Sequence, residues 1–284
     1  MSRLTDTLVT AIAPAVWGST YAVTTQMLPP GLPLTVAALR ALPAGLLLLV
    51  IVRRLPWGAW WWKSLILGGL NFAVFWGCLF VSAYRLPGGV AATVGAIQPL
   101  IVILLSSLVL GSKVRTLSVF AGVMGIGGVA LLVLTPNAHL DFLGVAAGLA
   151  GALSMATGTV MTRKWRPPVS PLTFTAWQLT AGGLLLLPLA LIFEPALPLP
   201  TPMNLTGFVY LGIIGGAVTY MIWFRGISRI EPSAASALGF LSPVTAVLLG
   251  WFILGQALDV QQALGVAVVL LSVWLSQWAQ LQQR

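Results

Sequence analysis

The sequence predicts an all-α polytopic membrane protein, ten transmembrane helices arranged as two inverted five-helix repeats. Three observations predict it. Apolar runs of about 20 residues, the length that crosses a bilayer core, follow one another with short turn-rich connections. The basic residues gather on one side when those runs are laid alternately through a membrane. The first half of the chain also returns, altered, in the second half. Composition agrees: the 284 residues are 58% hydrophobic and 7% charged, with a mean hydropathy of +1.00, whereas a soluble domain carries roughly 25% charged residues.

The runs lie at approximately 8–28, 34–52, 64–84, 89–110, 116–134, 142–162, 172–193, 205–228, 233–254 and 260–280. Span one starts behind Arg3. Pro14, Trp17 and the polar series Ser19, Thr20, Tyr21, Thr24 and Thr25 interrupt it, and no clear small-residue cleavage site follows. It therefore reads as a retained span and not as a signal peptide. LPPGLP leads into span two, and RRLPWG into span three, where Trp57, Trp60, Trp61 and Trp62 read as an interfacial belt. RLPGG, GSKVR and TPNAHLD separate spans three to six; RKWRPPVSP, EPALPLPTP and RIEPS separate spans six to nine. Trp274 and Trp278 give span ten a belt of its own. No connection has room for a soluble domain.

Laid alternately, the spans put Arg3, Arg53, Arg54, Lys63, Lys113, Arg115, Arg163, Lys164, Arg166, Arg225, Arg229 and Arg284 on one side. The other side receives Arg85, and Arg40 lies within span two. A miscounted helix would scramble that split. Basic loops stay in the cytoplasm, which places both termini inside. Topology thus explains the net charge of +9, and no basic stripe or motif speaks for nucleic acid. The single Cys78 excludes an intrachain disulfide or thiolate cluster, and the single His139 excludes an imidazole metal site. No metal and no cofactor is expected.

Pro33–Leu49 (PLTVAALRALPAGLLLL) matches Pro171–Leu187 (PLTFTAWQLTAGGLLLL) at nine of seventeen positions with an offset of 138, and Arg40 meets Gln178. From Leu67 to Gly111 the offset becomes 144: Gly68 meets Gly212, Phe80 meets Phe224, Arg85 meets Arg229, Gly95 meets Gly239 and Pro99 meets Pro243. Shared leucines are expected of any two membrane helices; prolines, glycines and arginines in register across several spans indicate a duplication. Residues 1–138 form one copy and 139–284 the other. Five spans is an odd number, so the second copy is inverted, and Arg85 and Arg229 fall on opposite sides. Inverted repeats are a recurrent plan of secondary transporters, with a substrate site near the midplane and two halves that rock around it.

WGSTYAV in span one, Arg40 in span two, and the paired stretches PLIVILLSSLVLGSK and PVTAVLLGWFILGQ resemble the drug/metabolite transporter superfamily, in particular its EamA-type ten-helix branch. The resemblance covers nearly the whole chain and implies two five-helix halves. Within the branch, overall likeness and aromatic richness are most similar to aromatic amino-acid exporters. One departure is that Ser112 and Gln256 stand where family members often carry Glu.

Polar groups in lipid usually face the bundle interior or a water-filled cavity. Asn71, Phe75, Cys78 and Ser82 share one face of span three at i, i+4, i+7 and i+11. With Trp17, Tyr21, Gln98, Ser154, Trp177, Gln178, Tyr220, Trp223 and Ser242 they form the candidate substrate cavity, neutral and rich in aromatic faces, suited to a zwitterion with an apolar or aromatic side chain. The bland alternatives are back-bonded hydroxyls, lipid-facing tryptophans and a packing cysteine. Arg40 either pairs with helix carbonyls and holds the halves together or attracts a substrate carboxylate. Gly95, Pro99, Gly239 and Pro243 place kinks in mirror-related spans four and nine, as hinges or as static bends.

All five acids (Asp6, Asp141, Glu194, Glu231 and Asp259) fall at span ends or in loops. No intramembrane carboxylate is available for an ion relay, and no phosphate-binding loop for ATP. The expectation is an alternating-access facilitator in a bacterial-type inner membrane, exporting small neutral metabolites, aromatic and other neutral amino acids first. The alternative is a broader exporter of nucleobases or cationic drugs. A membrane enzyme would need a nucleophile–base pair or metal cluster in the spans, so no catalytic residue is assigned. The expected partners are a small-molecule substrate and the lipid bilayer; the oligomeric state is left open.

Overall fold

The computed structural model describes residues 3–86, 88–133, 141–255, 257 and 259–281, with side chains other than those at 3, 21, 80, 83, 84, 88–90, 254, 280 and 281. The division at 138/139, His139 and Gln256 lie outside the described residues.

Six spans are continuous helices: α1 (Arg3–Met27), α2 (Pro33–Val52), α5 (Thr116–Val133), α6 (Phe142–Trp165), α7 (Pro171–Phe193) and α10 (Val260–Leu281). The other four are interrupted, in matched pairs. α3 (60–85) carries a π-helical segment at Gly69–Val74, and α8 (Pro202–Arg229) carries one at Tyr210–Val218. α4 (88–110) breaks between Gly88–Gly95 and Gln98–Leu110, and α9 (232–254) passes through a 3-10 turn at Leu238–Phe240. Among the described residues nine spans are long and apolar enough to cross a membrane. The tenth, α1, has the length at 25 residues but is diluted by its polar series. The ends follow local chemistry. Proline starts α2, α7 and α8, Ser170 and Thr201 cap α7 and α8 through their hydroxyls, and Gly111 and Gly255 close α4 and α9 at φ of 69° and 64°.

Lipid offers no hydrophobic drive between helices, so close backbone approach at small residues holds them together. A Cβ on Gly45 of α2 would lie 2.4 Å from the Thr180 nitrogen of α7, and one on Gly183 would lie 2.6 Å from the Leu42 Cβ. Gly45 and Gly183, like Leu42 and Thr180, are counterparts by the offset of 138, so the crossing is reciprocal. α5 and α10 cross the same way, Gly128 against Val269 and Gly265 against Leu132. Two further contacts are each other's image. α3 packs on α6 through Ser82 and Gly148, and α8 packs on α1 through Gly226 and Thr10. The inverted repeat is thus written in the packing as well as the sequence. Leu46, Leu47, Val50 and Ile51 of α2 and Leu191, Ile192 and Phe193 of α7 stay exposed, as a lipid-facing surface requires.

Candidate functional site

Two polar contacts cross between the halves at the π segments. Arg40 of α2, 9% exposed, donates from Nη2 to the Gly215 carbonyl of α8 at 2.7 Å. Its guanidinium lies 4.8 Å from the centre of the Trp76 ring. The same carbonyl accepts from Thr219 Oγ1 at 2.8 Å, and that hydroxyl accepts from Trp17 Nε1 at 2.9 Å. A π segment loosens the regular ladder, which lets one carbonyl serve two side chains. In the other half, Asn71 of the α3 π segment donates from Nδ2 to Gln178 Oε1 of α7 at 2.7 Å. Arg40 and Gln178 are 138 apart, and Asn71 and Gly215 are 144 apart, so the contacts are counterparts. One carries a charge and the other does not.

Among the described residues no carboxylate pairs with Arg40. An unpaired buried charge costs several kcal/mol. The Gly215 carbonyl offsets part of that, and a desolvated cation–π contact contributes about 2 kcal/mol. Arg40 Nε has no hydrogen-bond partner, so one donor of the fork remains for a ligand.

Around this charge lies an aromatic cluster. The Tyr220 ring stands 4.5 Å from Phe72, 4.8 Å from Trp17, 5.8 Å from Phe224 and 6.3 Å from Trp76, and Trp17 lies 5.2 Å from Trp223. The tilted and edge-on geometries are those aromatic quadrupoles favour. Tyr220, Trp223 and Phe72 are fully buried, and Trp223 Nε1 has no partner. Sequence reading found Trp17, Tyr220 and Trp223 and missed Phe72, Trp76 and Phe224. The available signal was position, since Phe72 and Trp76 follow Asn71 within about a turn and a half.

The remaining candidates sort by location. Asn71, Phe75, Cys78 and Ser82 do share a face, but it rests on the glycines of α6: Asn71 meets Gly158, Cys78 and the Phe75 carbonyl meet Gly151, and Ser82 meets Gly148. Ser154 donates to the Leu70 carbonyl across the same seam at 2.8 Å. In this conformation that face is a helix contact. Trp177 donates to the Arg54 carbonyl at 2.7 Å and packs on Trp57 and Trp60. Trp60, expected in the interfacial belt, is instead buried against Phe174 and Trp177, while Trp57, Trp61 and Trp62 are exposed. Gln98 and Ser242 are half-buried just beyond the breaks in α4 and α9, and the Gln98 side chain makes no hydrogen bond among the described residues. A Cβ on Gly95 or Gly239 would meet nothing within 4 Å, so close packing does not demand glycine there; Pro99 and Pro243 follow each break. The Tyr21 side chain lies outside those described.

Each membrane face also has an ion pair. On the face rich in basic residues, Asp6 of α1 accepts from Arg225 at 2.6 Å and Arg229 at 3.3 Å of α8, and its side chain is 13% exposed. On the opposite face, Arg85 of α3 stands 3.7 Å from Asp141 of α6, and both side chains are over 40% exposed. Arg85 and Arg229 are counterparts. Asp6 corresponds to Gly144, and Asp141 sits one turn earlier, where it caps the Gly144 nitrogen at 2.7 Å. On that opposite face Glu194 of α7 also accepts from the Leu34 and Thr35 nitrogens at 2.6 and 2.7 Å, an anion on the N-terminus of α2.

The EamA-like transporter family profile matches residues 6–134 and again 142–278, one match in each half. The chain is 48% identical over 259 residues to Protein PecM of Dickeya dadantii, covering 90% of this chain and 87% of that one. It is 30% identical over 275 residues to WAT1-related protein At3g02690, chloroplastic, of Arabidopsis thaliana, covering 91% and 66%. Uncharacterized inner membrane transporter YedA of Escherichia coli K12 is 29% identical over 265 residues, covering 92% and 86%. A crystal structure of a protein 21% identical superposes over 100% of both chains with a TM-score of 0.85, which shows the fold. Ten spans in two inverted halves and a profile that matches each half give one conclusion: the chain belongs to the EamA-like transporter family and is a multi-pass membrane transporter, not an enzyme.

Proposed function

We propose that the protein exports small neutral metabolites from the cytoplasm, aromatic and other neutral amino acids first, by alternating access. The observation that carries this reading is Arg40, a buried cation with a free Nε and no carboxylate partner among the described residues, beside the rings of Trp17, Phe72, Trp76, Tyr220 and Trp223. A substrate carboxylate would complete the charge, and an aromatic side chain would exchange ring contacts with the cluster. The same cation opposes positively charged drugs. The basic face is cytoplasmic by the distribution of Lys and Arg, which puts both termini inside an inner membrane.

The two halves, 1–138 and 139–284, rock about the α2–α7 and α5–α10 crossings. Opening on the cytoplasmic side parts α1 from α8 at Asp6; opening on the outer side parts α3 from α6 at Arg85. Gly95–Pro99 and Gly239–Pro243 absorb the bend. No acid lies within the apolar part of a span: Asp6 is in the first turn of α1, and the other four are at helix termini or in loops. The carrier therefore runs down the gradient of its substrate. Efflux from proteoliposomes loaded with phenylalanine, tyrosine, tryptophan, alanine and a cationic dye tests this. Aromatic amino-acid efflux indifferent to an imposed pH gradient is expected; dye efflux alone, or strict dependence on the gradient, would refute it.

A further inference from the structure

On the basic face a cavity of about 110 Å³ lies between the end of α4, the following turn, the start of α5 and the start of α9. Ser106, Ser112, Lys113, Arg115, Ser118 and Glu231 line it. Ser106 and Ser118 are 2% and 4% exposed, and neither hydroxyl has a hydrogen-bond partner. Arg115 donates to the Ala279 carbonyl of α10 through one nitrogen. Lys113 and Glu231 face the same space, yet neither forms an ion pair among the described residues, and the Glu231 carboxylate caps no backbone nitrogen of α9. Membrane topology asks for Lys113 and Arg115 on this face. It does not ask for two orphaned buried hydroxyls, or for a carboxylate across a gap from the cations it could join.

The size limits the occupant. The space is many times the roughly 10–15 Å³ that one water needs and well short of the roughly 300 Å³ at which drug-sized pockets begin. It also has no twin. The counterparts of Ser106, Lys113, Arg115 and Glu231 by the offset of 144 are Gly250, Ala257, Asp259 and Pro87, so the charges are not part of the two-fold machinery.

We propose that this cavity is an accessory site for a small zwitterion that pairs an anionic oxygen group with an ammonium. Lys113, Arg115 and the serine hydroxyls take the carboxylate or phosphate, and Glu231 takes the ammonium. A free small amino acid and the headgroup of an aminophospholipid both carry that chemistry.

The test is ligand-induced thermal stabilisation of the purified full chain in detergent, with alanine, phosphoethanolamine, acetate and ethylamine as probes, together with native mass spectrometry from phosphatidylethanolamine or phosphatidylcholine nanodiscs. Alanine or phosphoethanolamine is expected to stabilise the protein, and acetate and ethylamine to fail at equal concentration. Lys113→Gln and Glu231→Gln should each weaken zwitterion binding about tenfold or more, the loss of one charge-assisted hydrogen bond. The reversed pair Lys113→Glu with Glu231→Lys should restore it. Retention of phosphatidylethanolamine over phosphatidylcholine assigns the lipid source; stabilisation by alanine without lipid retention assigns the free one. The proposal is overturned if no probe or lipid binds, or if Glu231→Gln tightens binding of acetate and alanine alike, which describes a plain anion site.

Discussion

The two faces of the bundle are closed by related helices and unrelated chemistry. On the basic face one buried carboxylate, Asp6, holds two arginines of α8. On the other, Arg85 and Asp141 face each other across 3.7 Å in the open, and Glu194 ties the end of α7 to the start of α2, at the crossing and not at the α3–α6 seam. Pair strength depends on desolvation: exposed pairs contribute roughly 0–1 kcal/mol, whereas breaking a buried pair leaves a stranded charge. Duplication therefore supplied the geometry twice, while substitution set the energies separately. In the alternating-access cycle proposed above, that difference would leave the two open states unequally occupied, the basic face being the harder to part.

The same inequality runs through the midplane, and it can be broken there first. Replacing Arg40 with Met should reduce efflux of carboxylate-bearing substrates about 100-fold, the order seen when one partner of a buried charged contact is removed, with membrane insertion intact. Unchanged flux would remove Arg40 from the substrate path. Next in size, Asp6→Asn leaves Arg225 and Arg229 without their carboxylate and should favour the state open to the basic face. A cysteine placed at Ala13 of α1 should then react faster with a reagent added from that side; equal rates in both backgrounds would show that Asp6 is no latch. Gln178→Leu strands the Asn71 amide and should lower stability by about 1–3 kcal/mol, read as a lower unfolding temperature in detergent, with a smaller loss of flux than Arg40→Met. Smallest, Asp141→Asn should cost less than about 1 kcal/mol. If its effect on labelling or flux matches that of Asp6→Asn, the two faces are equivalent after all.

The architecture was legible because membrane folding leaves few options. Each span must be apolar and about 20 residues long, so the ends at Pro33, Arg85, Phe193 and Arg229 follow from hydropathy and turn residues. The π segments were not legible. They depend on where one residue too many is fitted into a turn, and hydropathy is blind to that; the glycine pairs at Gly68–Gly69 and Gly215–Gly216 were the available cue. The face of α3 carrying Asn71 and Ser82 was recognised as a face, but what it meets was decided by the glycines of α6, a pairing that no single-helix periodicity encodes. Glu194 reads as a loop acid in sequence and becomes a cap because α7 ends beside the start of α2. Arg40 stands out in the sequence, since a charge inside an apolar run has no inconspicuous explanation, whereas its carbonyl partner 175 residues away is set by the fold.

An uncompensated guanidinium inside a membrane also has an electrical consequence. Helices rise about 1.5 Å per residue, so Arg40 stands about 10 Å below the Pro33 end of α2, within the drop of the transmembrane voltage. One elementary charge carried across 100 mV changes energy by about 2.3 kcal/mol. In the rocking proposed above, any tilt of α2 would carry a fraction of that charge along the field. The cell's resting voltage would then bias the empty carrier toward one orientation, even when the cargo itself is net neutral.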